Sequence, residues 1–160
     1  MTRSLILVLL AALAVGCENG ASTTTPAKCS SSDAWSGGEG MTMAPGQACI
    51  TCHESGEGPK FQIAGTVMGA QNDDDNCNGV SGVTVEITGA DGSKVTLTSN
   101  SAGNFSSGDH NSATVTFPYT VKISANGKTN EMTTPQSDGD CNSCHTAAGA
   151  NGAPGRIYLP

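Results

Sequence analysis

Gly82-Val83-Thr84-Val85-Glu86-Ile87 decides the fold. Apolar side chains at 83, 85 and 87 alternate with polar ones at 84 and 86, the two-residue period of a strand with one buried face. Outward from it, the period returns in Gln62-Ile63-Ala64-Gly65-Thr66-Val67 and in Lys94-Val95-Thr96-Leu97-Thr98. Further short strands are predicted at 103–107, 114–117, 119–124 and 128–133. Asp91-Gly92, Ala102-Gly103-Asn104 and Asn126-Gly127 supply the turns between them. Charged residues are only 13% and glycines number 21 of 160, which suits a turn-rich β protein. The length leaves room for one domain. The expected class is mainly β, a small β-sandwich over residues 61–133 flanked by two short segments.

Ile63-Ala64-Gly65-Thr66-Val67, Gly82–Ile87, Thr98-Ser99-Asn100-Ser101-Ala102-Gly103-Asn104-Phe105 and Tyr119-Thr120-Val121-Lys122-Ile123 resemble the carboxypeptidase-regulatory-like, transthyretin-like domains. The resemblance covers residues 62–133 and implies a seven-stranded Ig-like sandwich with no catalytic residues of its own. The polar insertion at 71–79 and the loop at 106–113 depart from that family's compact turns. Within the insertion, Asp74, Asn76, Asn78 and Gly79 match the opening D-x-N-x-N-G of a calcium loop. The twelfth position of such a loop falls on Val85, and Glu86 comes one residue late. A solvated acidic turn is therefore preferred to a calcium site.

On either side of the sandwich lies a five-residue motif, Cys49-Ile50-Thr51-Cys52-His53 and Cys141-Asn142-Ser143-Cys144-His145. Random placement of 7 Cys and 3 His in 160 residues would give about 0.006 such motifs. C-x-x-C-H is the attachment signature of c-type haem, so the chain resembles dihaem c-type cytochromes. Two thiols add to the porphyrin vinyl groups, and the adjoining histidine reaches the iron. Residues 41–60 and 134–160 are thus expected to hold two haem c groups. Cys49, Cys52, Cys141 and Cys144 would form the covalent bonds, with His53 and His145 as proximal iron ligands. Aromatic residues are only 4%, and two porphyrins would supply apolar surface that the sequence lacks.

Distal ligands are scarcer. Met43 lies six residues before Cys49, and an extended stretch of that length reaches about 20 Å. His110 is the one further histidine. Met68 and Met132 fall in strands and read as core. The polar approach at 133–140 is long enough to fold back along a short sandwich, which predicts neighbouring haems. Zinc held by the two C-x-x-C pairs is the rival reading, and a disulfide within each pair is another.

Residues 1–16 read as a signal peptide, with Arg3 ahead of a short apolar run from Leu5 to Val15. Ala14-Val15-Gly16-Cys17 resembles a bacterial lipobox, which implies acylation of Cys17. Glu18, where retained lipoproteins carry Asp, implies the outer membrane. Ala12-Leu13-Ala14 is the competing cleavage site of plain secretion. Residues 17–40 form a Ser-, Thr-, Gly- and Pro-rich tether in which Trp35 stands alone. Cys29 and Cys77 are left over and form a disulfide candidate.

Cleavage after residue 16 removes Arg3 alone among the charges, leaving 14 acidic against 6 basic residues, a net −8. Nucleic acid is excluded as a partner, and a redox protein with a basic docking patch is expected. The oligomeric state is left open. The reading is an exported, membrane-anchored electron carrier on the periplasmic or cell-surface side. A peroxidase-like enzyme is one alternative, although no distal acid–base cluster is legible. A binding module whose motifs hold zinc or disulfides is the other.

Overall fold

The computed structural model describes residues 39–56, 58–74, 78–108 and 114–160. The readings placed on residues 1–38 (signal peptide, Cys17, Cys29, Trp35) and on Asn76, Cys77 and His110 lie outside the described residues.

The elements run α1 (Cys49–His53), β1 (Ile63–Met68), β2 (Thr84–Gly89), β3 (Lys94–Thr98), β4 (Asn104–Ser107), β5 (Tyr119–Ala125), β6 (Lys128–Gln136), α2 (Cys141–Cys144) and β7 (Ile157–Tyr158). The chain is mainly β, as expected. Three strands form one sheet in the order β4-β1-β7, and four form another in the order β3-β2-β5-β6. Along β2, Val85 and Ile87 are buried while Thr84 and Glu86 stay partly wet, the alternation read from the sequence. Ile63, Val67 and Phe105 of the smaller sheet join Val85, Ile87, Tyr119 and Ile123 of the larger in one core cluster. The two sheets are therefore the layers of a sandwich, and each fully buried Val or Ile contributes about 1.5–3 kcal/mol of hydrophobic stabilisation. Met68 is buried and Met132 packs against the same core, as predicted.

Two strand expectations change. Residues 114–117 make no strand. The Gln62 side chain takes the place of a neighbouring strand: its Nε2 donates to Val115 O, and its Oε1 accepts the Val115 amide, both at 2.7 Å. Pro118, which lacks an N–H, then ends the stretch. The tail, where no strand was predicted, completes the smaller sheet. Ile157 and Tyr158 pair in parallel with Val67 and Met68, and Leu159 packs on the core. The sandwich therefore draws on residues well beyond 133.

Strand β1 is buried at all six positions. Its odd residues serve the core, while Thr66, pointing the other way, is covered by the two motif segments. The Thr66 hydroxyl accepts the Gly46 amide at 2.9 Å and Asn142 Nδ2 at 3.1 Å. Ala64 donates to Gly139 O at 2.9 Å and bridges Asp140 in parallel. Both C-x-x-C-H segments thus lie along one strand.

Candidate functional site

C-x-x-C-H sets its chemical groups at i, i+3 and i+4, which share a face over one helical turn. Each motif folds that way. In α1 the turn closes through Glu54 N–H to Ile50 O at 2.8 Å. In α2 it closes through His145 N–H to Cys141 O at 2.9 Å, and His145 is the C-cap.

The two histidines share one arrangement. His53 Nδ1 lies 2.8 Å from Pro59 O. His145 Nδ1 lies 2.7 Å from Gly155 O. A carbonyl only accepts, so Nδ1 carries the hydrogen in both rings, and in the neutral ring Nε2 keeps its lone pair. This is how proteins orient an imidazole that binds a metal through its other nitrogen. His53 is buried and its ring tilts against Phe61, with centroids 4.6 Å apart. Gly58, at φ +85°, lies beside it; a Cβ there would come 3.0 Å from His53 Cε1.

Cys49, Cys141 and Cys144 are free thiols, whereas Cys52 is disulfide-bonded. Its partner is none of those three. Cys49 Sγ donates to Gln47 O at 3.4 Å and receives Asn142 Nδ2 at 3.9 Å. Burial, with the Asp140 charge adding to it, pushes the Cys49 thiol up to about 11. The Cys141 sulfur packs on the sandwich core, 3.9 Å from the Tyr119 hydroxyl, and burial pushes its thiol up to about 12. Gly65 makes room for it, since a Cβ at 65 would come 2.8 Å from Cys141 Cβ.

Three residues that sequence reasoning passed over hold the segments together. Asp140 Oδ2 accepts both the amide and the hydroxyl of Thr51, at 2.9 and 3.0 Å. Its Oδ1 is buried without a hydrogen-bond partner, and burial raises the carboxyl above its usual range. Asn142 donates to Gln47 O at 2.8 Å, and its Oδ1 accepts the Thr66 amide at 3.2 Å. Arg156 Nη1 donates to Gly46 O at 3.0 Å and Nε to Asp73 O at 3.1 Å. In a C-x-x-C-H reading the x positions and flanks are spacers, so Asn142 and Asp140 carried no signal. Arg156 sat in a tail without periodicity.

Of the distal candidates, Met43 lies in the stretch ahead of α1, where its carbonyl accepts Asn104 Nδ2 at 2.9 Å and ties the stretch to β4. Among the described residues no group of three or more His, Cys, Asp or Glu side chains converges as a metal site. A Cβ on Gly79 would come 2.3 Å from Val67 O, so that glycine serves a close backbone approach. A cleft of about 680 Å³ opens between the sheets beside Val67, Val80, Lys128 and Leu159, and no motif residue lines it. Among the described residues no helix is long and apolar enough to cross a membrane.

No family model, curated protein or solved structure matches this chain.

Proposed function

We propose that this protein is a dihaem c-type cytochrome that passes single electrons between partners on the outer side of the cytoplasmic membrane. The observation that carries the reading is the repeated histidine arrangement: two C-x-x-C-H turns, each with Nδ1 tied to a backbone carbonyl. That leaves Nε2 of His53 and of His145 available to an iron. Cys49 with Cys52, and Cys141 with Cys144, would hold the porphyrins. Haem, when bound, supplies a one-electron ferrous/ferric couple. The chain orients both imidazoles, buries that of His53 and presents an acidic surface, net −7 over the whole sequence, to a basic redox partner. Cys17 would anchor the chain to the outer membrane, and Cys17→Ala should then move it to the soluble fraction.

Loading asks two things of this fold. The Cys52 disulfide has to be reduced before its sulfur can bond a porphyrin. The Cys141 sulfur has to leave the core. Expression with haem-attachment machinery tests the reading. The intact mass should rise by two haems, and by one haem in Cys49→Ala/Cys52→Ala. Reduced protein should show a c-type absorption spectrum. The Cys52 disulfide favours a second reading, a β-sandwich binding module in which that cysteine is structural. An unshifted mass with the disulfide intact would establish it instead.

A further inference from the structure

Helix α1 begins without a cap of its own. Its N-cap residue is Ala48, which makes no side-chain cap bond. The first amides of any helix lack intrahelical partners, and an N-cap side chain usually accepts from the second or third. The third is Thr51, and its amide is taken by Asp140 Oδ2, 89 positions along the chain. Asp140 holds the N-cap position of α2, yet makes no side-chain cap bond to its own helix. It is 5% exposed, and its amide donates to Asp138 Oδ1 at 2.9 Å, which sets its backbone. The Thr51 hydroxyl adds a second bond to the same Oδ2 at 3.0 Å. Thr51 stands two residues before His53, inside the first motif.

We propose that Asp140 is a positioning residue of the first haem site, capping α1 from the second motif. The turn presenting Cys49, Cys52 and His53 takes its shape only when the second segment is docked. The proposal rests on the haem reading for its functional meaning, but the cap itself can be measured in haem-free protein. What matters is an acceptor oxygen at 140. Asp140→Asn keeps one, and Asp140→Ala does not.

Two measurements decide it. In the ligand-free full chain, amide exchange at Thr51 should speed up about fivefold in Asp140→Ala, the loss of a typical cap. It should return to the wild-type rate in Asp140→Asn, with β2 and β5 amides unchanged in all three proteins. In chains loaded at the first site alone (Cys141→Ala/Cys144→Ala), the EPR g-values of the ferric iron should shift in Asp140→Ala and return in Asp140→Asn. If Asp140→Ala fails to fold, Thr51→Val, which removes only the 3.0 Å hydroxyl bond, should shift the g-values in the same direction. Wild-type exchange at Thr51 in Asp140→Ala, or a spectral shift that Asp140→Asn does not reverse, overturns the proposal. Failure of any chain to take up haem overturns the haem reading, and the exchange result then decides the cap on its own.

Discussion

A thiol stays unreactive when it is kept from ionising, because the thiolate is the nucleophile. Burial does this for Cys49, pushed up to about 11, and for Cys141, pushed up to about 12. At pH 8 a thiol at about 11 is roughly 0.1% ionised, against roughly a tenth for a cysteine at the unperturbed 9.0. Alkylation of Cys49 in folded, ligand-free protein should therefore run about two orders of magnitude slower than in urea. A mass-resolved time course checks this. The same shifts have a stability consequence. A raised thiol pKa favours the native state fully below the unfolded value of 9.0 and ceases to do so as pH climbs through about 11 to 12. In that window the unfolded chain gives up its protons first. The denaturation midpoint should fall from pH 9 towards pH 11, and Cys49→Ser should flatten the decline. At Gly58 the demand is steric. Gly58→Ala would place a side chain at φ +85° and against the His53 ring, at a cost of about 1–2 kcal/mol. NMR of His53 should show its Nδ1–H bond to Pro59 weakened. That Gly58 lies against an imidazole is a fact of tertiary structure, with no local pattern in the sequence to announce it.

Elements with a period were legible, and elements without one were not. Strand β2 announces itself because Val83, Val85 and Ile87 all point one way. Strand β7 is two residues long, and Ile157-Tyr158 has no period to read. It exists because β1 has a free edge beside it, a fact about tertiary structure. Residues 114–117 mislead in the opposite sense: Thr114-Val115-Thr116-Phe117 alternates, but a glutamine side chain occupies the ladder position. Arg156, just before β7, is the fastening of this element. Its guanidinium is buried, its backbone amide donates to Gln71 O at 2.7 Å, and its side chain holds Gly46 and Asp73. Arg156→Leu would remove the donor to the buried Gly46 carbonyl and one donor to the half-buried Asp73 carbonyl, and charged hydrogen bonds are worth about 1.5–3 kcal/mol each. The variant should lose about 2–4 kcal/mol, read as a lower denaturant midpoint at unchanged slope.

At the scale of the molecule, six strands among the described residues separate the motifs in the chain while one strand unites them in space. An even number of strand passages returns the chain to the end where it started. Thr51 meets Asp140 and Gln47 meets Asn142 as a result. The motifs and their histidines were legible because C-x-x-C-H is a fixed local spacing that recurs. Their mutual support was not, since it joins residues 89 apart through side chains that the motif leaves unspecified. If each motif carries a haem as proposed, the two should interact. EPR of the loaded monomer should show magnetic coupling, and reducing one iron should lower the midpoint potential of the other. Two independent centres would place the haems on opposite sides of the seam.

The parallel pairing of Val67 with Ile157 also sets a timetable. The centre of the smaller sheet forms one of its two ladders with a segment 90 residues later in synthesis. Contacts between such distant positions form late, because the intervening loop has to close first. A growing chain therefore completes both C-x-x-C-H segments before its smaller sheet can shut. During that interval Cys141 has no complete core to enter. The last few residues thus close the smaller sheet only after every other part of it has been made.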